Sequence, residues 1–274
     1  MSDAPLNLLR LDDVGFQKLY ESRIAPIFAA NETGRLVAFN TFKWRFAIAV
    51  PLALLVAAIE YHFRQDVFEA LIVGGILIGV GFFFAYWPLQ DVERQTKLES
   101  LNAIAEAIGC TYEGAGFAPP EIKRFRDLDL LPGCDRDNYE DLFQGTYEGC
   151  RYDFYDAHLE RRHRSNKGSD SWTTVFRGQL VRVAFPKKFQ GVTIVRRDAG
   201  VFNAFGGGLG LKKVGLEDPH FERAFEVWGN DQVEARYILH PVLMQRLLDL
   251  ETTLKGKRLR CAFEGGDLLV AVEG

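Results

Sequence analysis

The sequence predicts an α+β protein: an N-terminal helix, a two-helix transmembrane hairpin, and a cytoplasmic antiparallel sheet with packed helices. Three observations predict it. Two uncharged apolar runs lie close together, Phe46 to Ile59 and Ala70 to Leu89. After Cys110 short β-rich runs alternate with Gly, Pro and polar turns. Helical spacing of apolar residues then returns between Asp231 and Leu254. The organisation that follows is 1–45 as a cytoplasmic helical segment, 46–89 as the hairpin and 90–274 as one cytoplasmic α+β domain.

In the first segment Asp12 and Asp13 precede Val14, Phe16, Leu19, Tyr20, Ile24 and Ile27, which recur at broadly helical spacing, with Pro26 as a late break. That pattern predicts a helix near the membrane surface. The mixed polar and charged N-terminus carries no secretion signal, so the spans themselves must direct insertion. Phe46 to Ile59 is fourteen residues without charge, flanked by Trp44, Arg45, Tyr61 and Phe63 as interface residues, which places the first span at about 46–63. Ala70 to Leu89 is twenty uncharged residues and covers roughly 30 Å at 1.5 Å rise, the hydrocarbon thickness. Arg35, Lys43, Arg45, Arg94 and Lys97 lie outside the two spans, whereas the connection holds only Arg64. This basic asymmetry predicts a multi-pass protein with both termini cytoplasmic. Ala49, Ala53 and Ala57 on one span and Gly75 and Gly79 on the other are small faces that let helices approach, either within one hairpin or between two copies as a homo-oligomer. No ionisable residue lies near the middle of either span, which argues against a channel or transporter.

Beyond the membrane, Leu98, Leu101, Ile104, Ala105 and Ile108 continue a helix from Asp91 until Gly109 stops it. Strands are predicted at 140–146, 150–159, 174–185 and 191–196, helices at 231–239 and 241–254, and two closing strands at 258–263 and 268–272 around Gly265-Gly266-Asp267. Within 216–250, Phe221, Phe225, Val233, Tyr237, Leu243, Leu247 and Leu250 read as core. Phe221 and Phe225 would meet on one side of a helical turn. Asp231 and Glu234 would form a reciprocal N-terminal box, and Arg236 would pair with Asp218 or Glu226.

The net charge of −4 and pI near 5.8 offer no global attraction for nucleic acid. Cys110, Cys134, Cys150 and Cys261 are widely spread without a CxxC pair, which predicts free thiols and neither a disulfide framework nor a zinc site. No cofactor is implied. Gly206-Gly207-Gly208-Leu209-Gly210-Leu211-Lys212-Lys213 fits neither GxxxxGK[ST] nor GxGxxG, so nucleotide sensing there competes with a simple connector. Asp135 to Asp141 begins like a calcium loop, but Tyr139, Glu140 and Thr146 stand at the wrong positions. In Tyr152 to Arg162, strand alternation would put Asp156, His158 and Glu160 on one face, where carboxylates beside a histidine could serve base catalysis or simply form a wet sheet face. Arg161, Arg162, Arg164 and Lys167 are candidates for contact with anionic lipid headgroups.

Glu140-Asp141-Leu142-Phe143-Gln144-Gly145, Val175-Phe176-Arg177-Gly178 and, most specifically, the stretch from Leu216 to Pro241 resemble a bacterial two-span membrane family catalogued as a domain of unknown function, number thirty-one thirty-seven. The resemblance covers most of the chain. It implies a bacterial inner-membrane location and, because members are often encoded beside LemA-like proteins, an envelope-related role with a LemA-like or other membrane or cytoplasmic protein partner. It brings no catalytic residues. Two readings stay open: a membrane-anchored binding or scaffold module, and a membrane-tethered hydrolase or metal-dependent enzyme using Asp156, His158 and Glu160.

Overall fold

The computed structural model describes residues 17–18, 20–164, 170–197, 210–254 and 258–274, and the chain divides into two units at Gly109/Cys110. In the first unit a π-helical turn, Tyr20–Ile24, leads into α1 (Ala25–Arg64), and α2 spans Val67–Ile108. Asp12 and Asp13 lie outside the described residues. Pro26 does not break a helix: it sits in the first turn of α1, where a missing N–H is harmless, and α1 runs unbroken through position 45. At the hairpin turn Gln65 takes a left-handed conformation, and Asp66 caps α2 by accepting from the Phe68 and Glu69 amides. Gly109, at φ 75°, ends α2 where the sequence placed its stop.

The hairpin seam differs from the expected one. A Cβ on Gly81 would stand 2.7 Å from the Ala49 Cβ, and one on Gly74 would stand 3.1 Å from that of Ala57, whereas Gly75 and Gly79 have nothing within 4 Å. Ala70, Gly74, Gly81 and Ala85 follow the four-and-seven spacing that holds one face toward a partner helix. Gly75 is one residue, about 100°, off that line. Ala53 and Ala85 are buried in the seam, and Phe42 and Phe46 meet Phe82 edge-on with ring centroids about 6 Å apart.

The second unit is a nine-stranded, fully antiparallel sheet among the described residues. Its strands are β1 (Cys110–Ala115), β2 (Arg136–Tyr147), β3 (Cys150–His163), β4 (Ser171–Ala184), β5 (Val192–Arg197), β6 (Lys212–Lys213), β7 (Phe225–Gly229), β8 (Arg258–Glu264) and β9 (Asp267–Glu273), in the order β1-β2-β3-β4-β9-β8-β5-β7-β6. Tight turns set the register. Glu148 and Gly149, both at positive φ, join β2 to β3, and Gly265-Gly266 join β8 to β9.

Alternation along β3 gives the sheet its two faces. Asp153, Tyr155, Ala157 and Leu159 point to one side, where Phe125 of α3 (Ile122–Asp127) and Leu128, Leu130 and Leu131 complete a core. On the other side Val195, Val227, Leu259, Cys261, Phe263 and Val270 of β5, β7, β8 and β9 pack beneath α4 (Pro219–Ala224), α5 (Gln232–Ile238) and α6 (Pro241–Thr253).

Four expectations inside 216–250 need correction. Phe225 is not helical; it opens β7, yet its ring still lies 5.0 Å from that of Phe221 and both are buried. Val233 and Tyr237 are 77% and 66% exposed and Leu250 is also exposed, because Ala235, Ile238 and Leu239 take the inward face of the short helix. Asp231 caps α5 as expected, but Glu234 turns away from the box and accepts from the Gln190 and Gly191 amides, tying the β4–β5 connection to α5. Arg236 donates to the Gly215 carbonyl and Gln232, while Glu226 pairs with Lys213 at 2.8 Å.

Candidate functional site

The helices α4 to α6 cover only part of their face of the sheet. Over β2, β3 and β4 that same face carries a cleft of about 340 Å³. Cross-strand register builds it. Asn138, His158 and Arg177 align in one row, and Glu140, Asp156 and Gln179 in the next. Two irregularities keep these side chains on one side. A bulge at Asp141, φ 58°, lets Glu140 and Phe143 face the same way, and a register shift between Leu159 and Glu160 brings Thr174 beside His158. Gly178 lets β9 close against the end of the cleft: a Cβ there would lie 1.9 Å from the Val272 carbonyl oxygen.

The sequence-derived residues therefore meet as the alternation requires, with Asp156 and His158 lining the cleft and Glu160 at its margin. His158 Nε2 lies 2.9 Å from the Thr174 hydroxyl and 4.0 Å from Glu160, whose carboxylate also faces Arg136 at 3.7 Å. Hydroxyl and carboxylate thus approach the same ring nitrogen. The Thr174 hydroxyl stands at hydrogen-bond distance from this imidazole and the Glu160 carboxylate lies beyond it. Among the described residues no group of three His, Cys, Asp or Glu side chains is placed to hold a metal ion. The cleft offers carboxylates, an imidazole, a guanidinium and amides in adjacent columns, a surface able to match a ligand of mixed charge.

The sequence alone does not join Asn138, Glu140, Arg177 and Gln179 to Asp156 and His158. Their alternation is visible in β2 and β4, but their meeting depends on register between strands some 40 residues apart.

The other candidates lie elsewhere. Arg161 donates to the Gly133 carbonyl, and Arg162 is held by Asp170. Arg164 is exposed and follows β3, while Lys167 falls outside the described residues. Gly206 to Leu209 also fall outside them; Lys212 and Lys213 form β6 against β7, so Lys213 begins a strand and not the helix that a phosphate loop requires. Asp135 and Asp137 lie at the start of β2, Asp135 accepting from the Arg162 amide and Asp137 paired with Arg126. All four cysteines are free, and burial pushes the Cys261 thiol up to about 12.

Beneath the cleft, on the opposite face, a charged clamp fixes α3 to the sheet. Arg124 bridges Glu264 at 2.8 Å and Asp267 at 2.5 Å. Arg182 binds the buried Asp153 through Nε at 2.7 Å and Nη2 at 2.5 Å. Desolvation raises the Asp153 carboxyl despite the nearby guanidinium, and its Oδ1 has no hydrogen-bond partner.

Residues 174–274 match the family DUF3137, described as a protein of unknown function. The DUF3137 match takes in β4 through β9 with α4 to α6, including Val175 to Gly178 and the Leu216 to Pro241 stretch. It does not extend to Glu140–Gly145, to the apolar helices or to Asp156 and His158, so it is narrower than the resemblance read from the sequence. No curated protein matches the chain significantly. The crystal structure of the mycobacterial trehalose monomycolate transport factor A is similar at a TM-score of 0.40 and 11% identity, over 63% of this chain and 79% of that one.

Proposed function

We propose that the protein is a membrane-anchored binding module whose sheet-face cleft engages a polar segment of a membrane or cytoplasmic protein partner. The observation that carries this reading is the cleft itself: two solvent-facing rows, Asn138–His158–Arg177 and Glu140–Asp156–Gln179, set by register on a rigid sheet. Alternating acceptors and donors at strand spacing recognise a chain of mixed charge.

The anchor is α1 and α2, both long and apolar enough to cross a membrane. Protein buries only 6% and 11% of their most apolar stretches, unlike the core helices of soluble proteins. Phe63, Phe68 and Leu71 are among the large apolar side chains left exposed. Arg64, the sole cation of the hairpin connection, is neutralised by Glu60 at 2.9 Å and Glu69 at 2.8 Å. One Lys or Arg in the connection against Arg35, Lys43, Arg45, Arg94 and Lys97 outside the spans favours cytoplasmic termini in a bacterial inner membrane.

The competing reading, hydrolysis through Asp156, His158 and Glu160, draws on the His158–Thr174 contact and on carboxylates that would orient the ring. The two separate in one experiment. A photo-crosslinking amino acid at Gln179 should capture a discrete partner in cells, and Arg177→Glu should abolish the adduct while the protein stays in the membrane fraction. Absence of any adduct, or an adduct indifferent to Arg177→Glu, would defeat the binding reading.

A further inference from the structure

A second concavity, separate from the cleft, lies between the β4–β5 connection and the junction of α5 with α6. Its volume is about 1060 Å³, just above the roughly 300–1,000 Å³ typical of small-molecule sites. Buried Phe189, Ile238, Leu239 and Met244 contribute its floor. Around them Phe185, Tyr237 and Val242 are 36%, 66% and 64% exposed, an apolar margin facing water. Tyr237 is one of the residues whose spacing read as core, and it stands at the mouth of this groove instead.

Charge decides what the groove suits. Lys187, Arg236 and Arg246 line it, with Lys187 Nζ held 4.0 Å from the centroid of the Tyr237 ring. Of the two lining carboxylates, Asp218 is turned toward the His220 and Phe221 amides in capping α4, so the groove carries three cations against two carboxylates, an excess of one positive charge. An apolar trough with a cationic margin matches a molecule with a long hydrocarbon chain and an acidic head. Concavity favours a single chain laid into the trough over the flat surface of a bilayer. We propose that this groove binds an anionic single-chain amphiphile, its acyl chain over Phe189, Leu239 and Met244 and its acidic head between Lys187 and Arg246.

The test uses the full chain in phosphatidylcholine nanodiscs with a photoactivatable palmitic acid and the corresponding alcohol, and maps crosslinked peptides by mass spectrometry. Saturable labelling by the acid is expected in residues 185–189 and 237–246. Lys187→Glu combined with Arg246→Glu, both exposed positions, should weaken the acid about tenfold or more and leave the alcohol little changed. Val242→Trp, which narrows the trough from an exposed position, should weaken both. Labelling that never saturates, that is confined to α1 and α2, or that is unchanged in both variants would overturn the proposal. So would capture of an amphipathic protein helix, and no fatty acid, by a crosslinker at Tyr237 in cells.

Discussion

The Asp153–Arg182 pair makes an asymmetric prediction. Asp153 is 1% exposed and, among the described residues, pairs only with Arg182, whereas the Arg182 side chain is 20% exposed and has Glu121 and Asp267 each at 4.0 Å. Arg182→Met strands a buried carboxylate without a cation and should cost about 3–5 kcal/mol. Asp153→Leu leaves a guanidinium with two other carboxylates and some access to water, so its cost should be nearer 1–3 kcal/mol. The double variant should be more stable than Arg182→Met alone, because no charge is left unpaired. The pH dependence has a definite sign. The Asp153 carboxyl titrates above its ordinary value in the fold, so between the two values the native state holds a proton that the unfolded chain has released. Stability from this group therefore falls as pH rises through that window. Losing Arg182 extends the window upward, so the Arg182→Met deficit should be larger at pH 7.5 than at pH 5. Urea unfolding followed by near-UV circular dichroism at both pH values measures it. Equal losses from the two single variants, or a deficit of Arg182→Met that does not grow with pH, would refute the reasoning.

Four further outcomes are expected. Gly178→Ala pushes a methyl group into the Val272 carbonyl and should cost about 1–3 kcal/mol or more, whereas Gly133→Ala, with only the Arg161 side-chain tip at 3.6 Å, should leave the melting temperature nearly unchanged. Gly81→Leu should weaken the helical hairpin and Gly75→Leu should not, measured by thermal unfolding in detergent. Phe225→Ala, in the fully packed cluster under α4 to α6, should cost about 3–5 kcal/mol in the same unfolding assay. Maleimide applied to the native protein should modify Cys150 and spare Cys261 until denaturant exposes it; on intact cells an impermeant reagent should reach a cysteine placed at His62 but not Cys150.

Legibility in the sequence followed element length and locality. β2, β3, β4, β5, β8 and β9 and the helices from 232 and 241 lie within a few residues of where alternation and turn residues put them, because each is long enough for its period to show. The helices Ile122–Asp127 and Pro219–Ala224, at six residues, carry less than two turns of pattern, and the switch to strand at Phe225 hides inside what looks like continued helical spacing. Val233 and Tyr237 show a different limit. Four-residue spacing says that two side chains share a face, but which face is buried was decided by Ala235, Ile238 and Leu239. The cleft was half visible: one strand supplied Asp156 and His158 in order, while Glu140, Arg177 and Gln179 arrive through pairings that no local pattern encodes.

The strand order has a consequence for how the molecule is made. β8 and β9 come last in the chain, yet they sit between β4 and β5 and, among the described residues, alone join the meander β1–β4 to the group β5, β7 and β6. During synthesis both groups leave the ribosome with an unsatisfied edge facing the gap that the β8–β9 hairpin will fill. Closure waits on residues 258–273, a slow, long-range step that leaves two sticky strands exposed meanwhile. Losing the β8–β9 hairpin would leave two half-sheets with open edges, free to pair with other chains.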